Sequence, residues 1–126
     1  MWLSILVIFC GAGFGALLRA GFNVVTVNTA SVIPLGTLIA NLVGGYLVGL
    51  AVAFFGNNPQ FSPEWRLLIV TGFLGGLTTF SAFTAEVFQL LQKNEFVASL
   101  ILVAFHVFGS LLMAYLGWLT LSFIKQ

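Results

Sequence analysis

The sequence predicts an all-α integral membrane protein with four transmembrane helices, and three observations support this fold class. Of its 126 residues, 60% are hydrophobic and only 6% are charged, whereas a soluble domain carries about 25% charged residues. The apolar sequence divides into four segments of roughly 20 residues, the length that a helix needs to cross a hydrocarbon core. A glycine-rich stretch interrupts the third segment. We therefore expect one four-span membrane domain over residues 1–126 with a broken third helix.

Short polar, turn-forming stretches separate the predicted spans. They run from about 2 to 25, 34 to 55, 64 to 91 and 96 to 123. The stretch GNNPQFSPE, from Gly56 to Glu64, is the clearest turn, and Pro63 is suited to the first turn of a helix. The stretch QKNE, from Gln92 to Glu95, separates the last two spans. No linker is long enough to hold a second domain.

Charge and cysteine content exclude several function classes. The net charge is +1, which indicates neither a nucleic acid nor an acidic partner. Cys10 is the single cysteine, so a disulfide framework within one chain and a CxxC redox or zinc motif are excluded. We expect Cys10 to be a small buried hydrophobe. A membrane enzyme such as a quinone or thiol reductase would need paired cysteines or a clustered acid and base, so we expect no enzyme.

The glycine-rich stretch GFLGGLTTFSAF, residues 72 to 83, is the most informative part of the chain. Gly72, Gly75 and Gly76 weaken the helix between two flanks that favour helix. An unsatisfied amide in lipid costs several kcal/mol, so freed backbone must be buried in protein or line an aqueous cavity. The carbonyl groups of such a break suit a cation, while its hydroxyls and the amino end of the following half-helix suit an anion.

Basic residues are balanced between the two sides of the predicted bundle. Arg66 and Lys125 lie on the side of the termini, and Arg19 and Lys93 lie on the other side. Because the bias of Lys and Arg between loops normally sets orientation, a tie allows insertion either way up. Our hypothesis is an antiparallel dimer of copies inserted in opposite senses.

Small and polar residues recur at four-residue spacing, which places them on one face of each helix. The three stripes are Gly11, Gly15 and Arg19; Thr37, Asn41, Gly45 and Gly49; and His106, Ser110, Ala114 and Gly117. Close packing of helices in lipid accounts for the glycines. It does not account for Asn41, Arg19 or His106, which we expect to face a bundle interior or a water-filled cavity.

The polar and aromatic candidates each allow a functional and a structural interpretation. The Asn41 amide offers two donors to an anion or to a neighbouring helix. The hydroxyls of Thr79 and Ser81 can serve an anion or bond their own helix backbone. Phe80 and Phe83, three apart on one face, either pack or present positive ring edges to an anion.

The titratable residues are interpreted in the same way. Arg19 either snorkels to the interface or draws anions into a vestibule. Glu86 could carry protons, although we expect it near the membrane rim, paired with a cation or with water. His106 lacks a nearby metal-ligating partner in its span, so it is expected to be a hydrogen-bonding pore or packing residue.

Three ordered motifs together are similar to those of a known family. They are GAGFGALLR at 11 to 19, GTLIANLVGGYLVG at 36 to 49, and GFLGGLTTFSAF at 72 to 83. With these motifs the chain resembles the small fluoride channels of the Fluc (CrcB) family. The resemblance implies a passive fluoride-selective channel of the cell (inner) membrane, an antiparallel dual-topology homodimer with two fluoride pathways, and a central structural sodium ion.

The resemblance also implies roles for individual residues. The backbone carbonyls of Gly75 and Thr78 would hold sodium. The fluoride pathway would include Asn41, Phe80, Phe83, Thr79, Arg19 and a polar track at Ser81, His106 and Ser110. A tyrosine is usual in the family at the His106 position. The third motif is usually TTFSTF, so Ala82 replaces a threonine, and we expect its lost hydroxyl to reduce conduction.

A second membrane class has a similar length. Small four-span multidrug exporters share the dual topology, but they resemble this chain less, because they need an acidic residue in the first span, and this span has none.

Overall fold

The computed structural model describes residues 1–29 and 31–126, and the fold in these residues is helical. We number the helices as follows: α1 is Trp2–Thr26, α2 is Leu35–Asn57, α3 is residues 63–77, α4 is Phe80–Gln92, and α5 is Phe96–Ile124. In this described part of the chain, four helical stretches are long and apolar enough to cross a membrane, at Trp2–Thr26, Leu35–Asn57, Pro63–Gln92 and Phe96–Ile124. The chain is a multi-pass membrane protein, and the helix ends lie within two residues of the expected boundaries.

The helix ends follow from local sequence. Pro63 occupies the first turn of α3, where its missing N–H has no helical partner to lose. The turn between α4 and α5 contains Asn94 at φ 59°, a left-handed conformation that asparagine tolerates better than most residues. The short QKNE connection therefore reverses the chain without a glycine.

Glycines bring α2 and α5 into backbone contact. A Cβ atom built on Gly49 would overlap the Ala114 carbonyl oxygen, and one on Gly117 would overlap the Tyr46 carbonyl oxygen. A Cβ on Gly45 would lie 2.8 Å from the Ser110 carbonyl oxygen. The prediction that these small residues allow close packing is confirmed, because no larger side chain fits between the two backbones.

The stripe on α1 packs against α3 in the same way. A Cβ on Gly11 would lie 2.9 Å from the Phe73 nitrogen, and one on Gly15 would lie 2.6 Å from the Leu77 nitrogen. Gly76 in turn lies against the Ala12 backbone. The last turn of α3 is therefore fixed on the face of α1 that carries Arg19.

Two wide helical turns were not predicted. Residues Leu67–Leu74 of α3 and Phe105–Gly109 of α5 are π-helical. At the end of the first segment the Gly75 N–H donates to the Val70 carbonyl, five residues back. Such turns are rare and occur frequently at functional sites, and both lie within a few residues of the polar groups described below.

The outward surface is apolar, as expected for helices in lipid. Large exposed side chains include Phe9, Phe14, Val97 and Leu100. Cys10 is exposed in the single chain, so the prediction that it is buried is wrong. Gly11 and Gly15, by contrast, occupy the side of α1 that packs against α3.

Candidate functional site

The third span changes conformation at two threonines. α3 ends at Leu77 and α4 begins at Phe80, and Thr78 and Thr79 between them are extended, with φ/ψ of −84°/156° and −152°/126°. The Thr79 hydroxyl accepts a hydrogen bond from the Ala82 N–H at 3.1 Å and so caps α4. The carbonyl end of one helix and the amide end of the next therefore meet at the same point.

Asn41 of α2 bridges to this extended pair. Its Oδ1 accepts from the Thr79 N–H at 2.8 Å, and its Nδ2 donates to the Thr79 carbonyl at 3.0 Å. Because the Thr79 backbone offers one donor and one acceptor, these two contacts fix which end of the amide is which. The side chain thus pairs with Thr79 as a neighbouring β-strand would.

The same amide orients His106 of α5. Asn41 Nδ2 lies 2.9 Å from His106 Nδ1, and since Nδ2 can only donate, Nδ1 accepts. A neutral imidazole that accepts at Nδ1 carries its hydrogen on Nε2. His106 is only 4% exposed, and within residues 1–29 and 31–126 its Nε2 has no hydrogen-bond partner. The site therefore contains a buried donor without an acceptor.

These residues line a cavity of about 270 Å³. Its lining consists of Asn41, Thr78, Thr79, Phe80, Phe83, His106, Val107 and Ser110. The Phe83 and His106 rings lie against each other with centroids 4.4 Å apart, and the Phe80 ring meets Phe83 edge-on at 5.7 Å. The cavity thus combines two aromatic rings with an imidazole, hydroxyl groups and backbone.

Phe80 and Phe83 occupy different environments despite their spacing on one helix face. Phe83 is 8% exposed and packs on His106, whereas Phe80 is 77% exposed at the mouth of the cavity. Ser81 is exposed, and its hydroxyl lies 3.2 Å from the Thr79 hydroxyl. Sequence spacing alone did not distinguish the buried ring from the exposed one.

Backbone carbonyls near the end of α3 lose their helical donors. In a continuous helix the Gly75 carbonyl would accept from the Thr79 N–H, which instead donates to Asn41. The Thr78 carbonyl would accept from the Ala82 N–H, which instead donates to the Thr79 hydroxyl. These two carbonyls are the ones that the resemblance assigns to sodium. Within the described residues no cluster of three or more His, Cys, Asp or Glu side chains could hold a metal ion.

Arg19 makes a contact that neither interpretation of its sequence position included. α1 continues to Thr26, so Arg19 does not lie at its end, and its Nε donates to the Gly76 carbonyl at 3.2 Å. Gly76 lies one residue after Gly75, within the last turn of α3. The guanidinium is therefore placed at the carbonyl end of that helix, where a positive charge is favoured.

Glu86 has a partner that the sequence did not indicate. Its Oε1 accepts from the Thr37 hydroxyl at 2.6 Å, and Thr37 is only 2% exposed. Its Oε2 is buried and has no partner in the described residues. The Thr37 hydroxyl is a partner that the expectation of a rim position, paired with a cation or water, did not include. Thr37 lies four residues before Asn41 on the α2 stripe, and that spacing was the available signal.

Comparison with known proteins identifies the family. The family described as CrcB-like protein, Camphor Resistance (CrcB), matches residues 6–118. A protein of Polynucleobacter asymbioticus named fluoride-specific ion channel FluC is 65% identical over 125 residues, which cover 99% of this chain and 100% of that protein.

Two further relatives carry the same name. The Nitrosomonas europaea protein is 48% identical over 126 residues, covering 100% of this chain and 99% of its own. The Pseudomonas aeruginosa protein is 52% identical over 124 residues, covering 98% of each. Four candidate spans and matches over nearly the whole length agree with the motif resemblance, and the chain belongs to the CrcB-like protein family.

Proposed function

We propose that this protein is a passive channel that conducts fluoride across the cell membrane. The observation that carries the proposal is 65% identity, over 99% of this chain and 100% of its relative, to a protein named fluoride-specific ion channel FluC. A channel moves its ion down a gradient and performs no covalent chemistry, so the protein is not proposed to be an enzyme. In a cell with two membranes we place it in the inner one.

The cavity beside the extended threonines supports a pathway for a small anion. Fluoride holds its water tightly, so a selective pore must replace that water with dense donors yet bind weakly enough for release. Among the residues that the structure describes, the His106 Nε2–H has no acceptor, and Ser110 lines the same cavity. The ring edges of Phe80 and Phe83 add positive charge density without a fixed cation. Chloride is larger and gains less from close donors.

Asn41 contributes to this proposed pathway through its neighbours. Both of its amide hydrogens are committed, one to the Thr79 carbonyl and one to His106. The amide therefore holds the cavity wall and aims the imidazole, and an anion meets the His106 donor that the amide orients. Thr79 also lines the cavity, and Ser81 and Arg19, which are outside this lining, remain parts of the proposed pathway.

An antiparallel dual-topology homodimer is the proposed assembly. The tie in basic residues supports insertion in both senses. In the structure Arg66 lies over the Phe55 ring and Lys125 over the adjacent Phe54 ring, which supports their placement on one side. Phe80, 77% exposed beside a polar cavity, is a surface that a second copy can cover. Two copies would form two pathways, surrounded by membrane lipid.

A structural sodium ion is proposed at the break in the third span. The residues present fit such an ion, because the carbonyls of Gly75 and Thr78 lose their helical donors to Asn41 and to the Thr79 hydroxyl. Uncharged carbonyl oxygens replace a hydration shell in cation-selective filters. One chain offers few such oxygens, and a second copy related by a two-fold axis would double them.

Fluoride efflux from liposomes tests the proposed function. Purified protein is reconstituted into vesicles loaded with potassium fluoride or potassium chloride, and release is followed with ion-selective electrodes after valinomycin is added. We expect rapid fluoride release and chloride release close to that of empty vesicles. Equal leakage of both ions, or no release of fluoride even after Ala82→Thr, would refute the channel.

A further inference from the structure

The end of α3 presents three neighbouring carbonyls in two different states. The carbonyls of Gly75 and Thr78 have lost their helical donors, as described above. The Gly76 carbonyl between them accepts from Arg19, a residue 57 positions earlier in the chain. A side chain from another span therefore bonds one carbonyl at this helix end, while the carbonyls of Gly75 and Thr78 on either side of it lack their helical donors.

The position of Arg19 is fixed by the packing of its own helix. Gly15, one turn earlier on α1, allows the backbone to approach Leu77, and Gly76 itself lies against Ala12. The arginine Cα is thus held beside the carbonyl that its side chain reaches. A charged side chain within a membrane span is tolerated when it pairs with a group such as a backbone carbonyl.

We propose that Arg19 is a positioning residue for a monovalent-cation site formed by the Gly75 and Thr78 carbonyls. This inference rests on the sodium ion of the proposed function and deepens it. By bonding the Gly76 carbonyl, the guanidinium restrains the Gly76–Leu77 peptide plane, which lies between the two free carbonyls and so helps to hold both in place. Its role is positional, because the proposed ion contacts the carbonyls and not the arginine.

The charge of Arg19 also selects the class of ion. A half-helix carries roughly half a negative elementary charge at its carbonyl end, and the guanidinium already offsets part of it. A singly charged ion adds modest repulsion against Arg19, whereas a divalent ion doubles that repulsion. The site is therefore suited to sodium and unsuited to calcium or magnesium, which prefer carboxylate ligands in any case.

Thermal unfolding of the full chain in detergent tests the inference by a readout other than conduction. Tm is measured while sodium chloride replaces N-methylglucamine chloride at constant ionic strength. Arg19→Gln removes the charge and shortens the reach, and Arg66→Gln is the matched control, because Arg66 is exposed and lies over the Phe55 ring. The measured quantity is the sodium concentration that gives half of the maximal increase in Tm. We expect this concentration to be the same for the wild type and the Arg66 variant.

For Arg19→Gln we expect the sodium concentration at half of the Tm rise to increase at least about tenfold, because losing the charge-assisted hydrogen bond that restrains the carbonyls outweighs the relief of repulsion between sodium and the guanidinium. Arg19→Lys keeps the charge with a single-point donor and should lie between the two, which keeps the test usable if the glutamine variant does not fold. A role in stability alone would lower Tm equally with and without sodium. An unchanged sodium dependence in both Arg19 variants, or calcium that stabilises the wild type as well as sodium does, would overturn the inference.

The outcomes separate this inference from the proposed function. If the wild type conducts fluoride but its Tm does not respond to sodium, the cation site and the role of Arg19 fail while the channel stands. If the wild type responds to sodium without conducting fluoride, the channel fails and Arg19 is judged on the Tm series alone.

Discussion

Removal of the Asn41 side chain tests how the extended threonines are held. Its amide makes contacts at 2.8 and 3.0 Å with the Thr79 backbone and at 2.9 Å with His106. Asn41→Ala deletes all three at once and adds no new polar group. The Thr79 N–H and His106 Nδ1 then need other partners, while the Thr79 carbonyl, at the N-cap of α4, keeps its intrahelical bond.

The expected cost follows from the two groups left unpaired. A buried donor or acceptor that loses its partner costs about 1–3 kcal/mol, which gives an upper limit of about 6 kcal/mol for two such groups. The adjacent cavity of about 270 Å³ has room for water to bond some of them again. Interhelical hydrogen bonds in membranes are also weaker than this range, averaging about 0.6 kcal/mol. We expect a loss of about 2–4 kcal/mol in unfolding free energy.

The assay is reversible unfolding in mixed micelles, followed by far-UV circular dichroism, with Asn58→Ala as the control. Asn58 lies at the end of α2, and its Nδ2 donates to the Phe54 carbonyl at 2.7 Å. Because water can replace that bond near the loop, the control should lose less than about 1 kcal/mol. Fluoride efflux should fall for Asn41→Ala, since His106 is no longer oriented. Equal unfolding free energies for the two variants would refute the bridge.

Three further predictions concern conduction and packing. Ala82→Thr should raise fluoride flux in the liposome assay by restoring a donor near the anion path, and equal flux would make that hydroxyl dispensable. His106→Phe should lower fluoride flux at least about tenfold, equivalent to about 1.4 kcal/mol. His106→Tyr restores a donor and should recover part of the lost flux. Full flux in the phenylalanine variant would exclude the imidazole as a donor. Gly49→Ala should lower the unfolding free energy by about 1–3 kcal/mol, because the new methyl group meets the Ala114 carbonyl. Gly13→Ala is its control, because a Cβ at Gly13 meets no atom of residues 1–29 or 31–126 within 4 Å. This control should be neutral or stabilising by up to about 1 kcal/mol, so similar losses in both variants would contradict the packing argument.

The helix boundaries and helix contacts could be predicted from the sequence because local chemistry determines them. Proline is favoured in the first turn of a helix, so Pro63 after a turn marks the start of α3. A run of about 20 apolar residues has the length of a membrane-spanning helix. The glycines at positions 45, 49 and 117 mark faces by their spacing, and their backbone contacts follow from their size. These inferences need no knowledge of which helix is the neighbour.

The partners of individual polar groups could not be predicted in this way. Glu86 was expected at the membrane rim because a carboxyl group is costly inside lipid, yet its partner is Thr37, 49 positions away. Arg19 offered the same difficulty, since several carbonyl groups lie within reach of a guanidinium. The π-helical segment at residues 67–74 could not be predicted either. Its residues are apolar apart from Thr71 and Gly72, so the sequence has no alternation of polar and apolar residues from which a wider turn could be recognised.

The π-helical segment Leu67–Leu74 determines how the residues after it are rotated about the helix axis. An α-helix advances by about 100° per residue, so one residue accommodated without advancing the helix rotates the succeeding backbone by that angle. Deleting a single residue from this apolar stretch should rotate the carbonyl oxygens of Gly75 and Thr78 by about 100° around the helix axis. The apolar π-helical segment thus determines the direction in which the carbonyl groups at the end of α3 point.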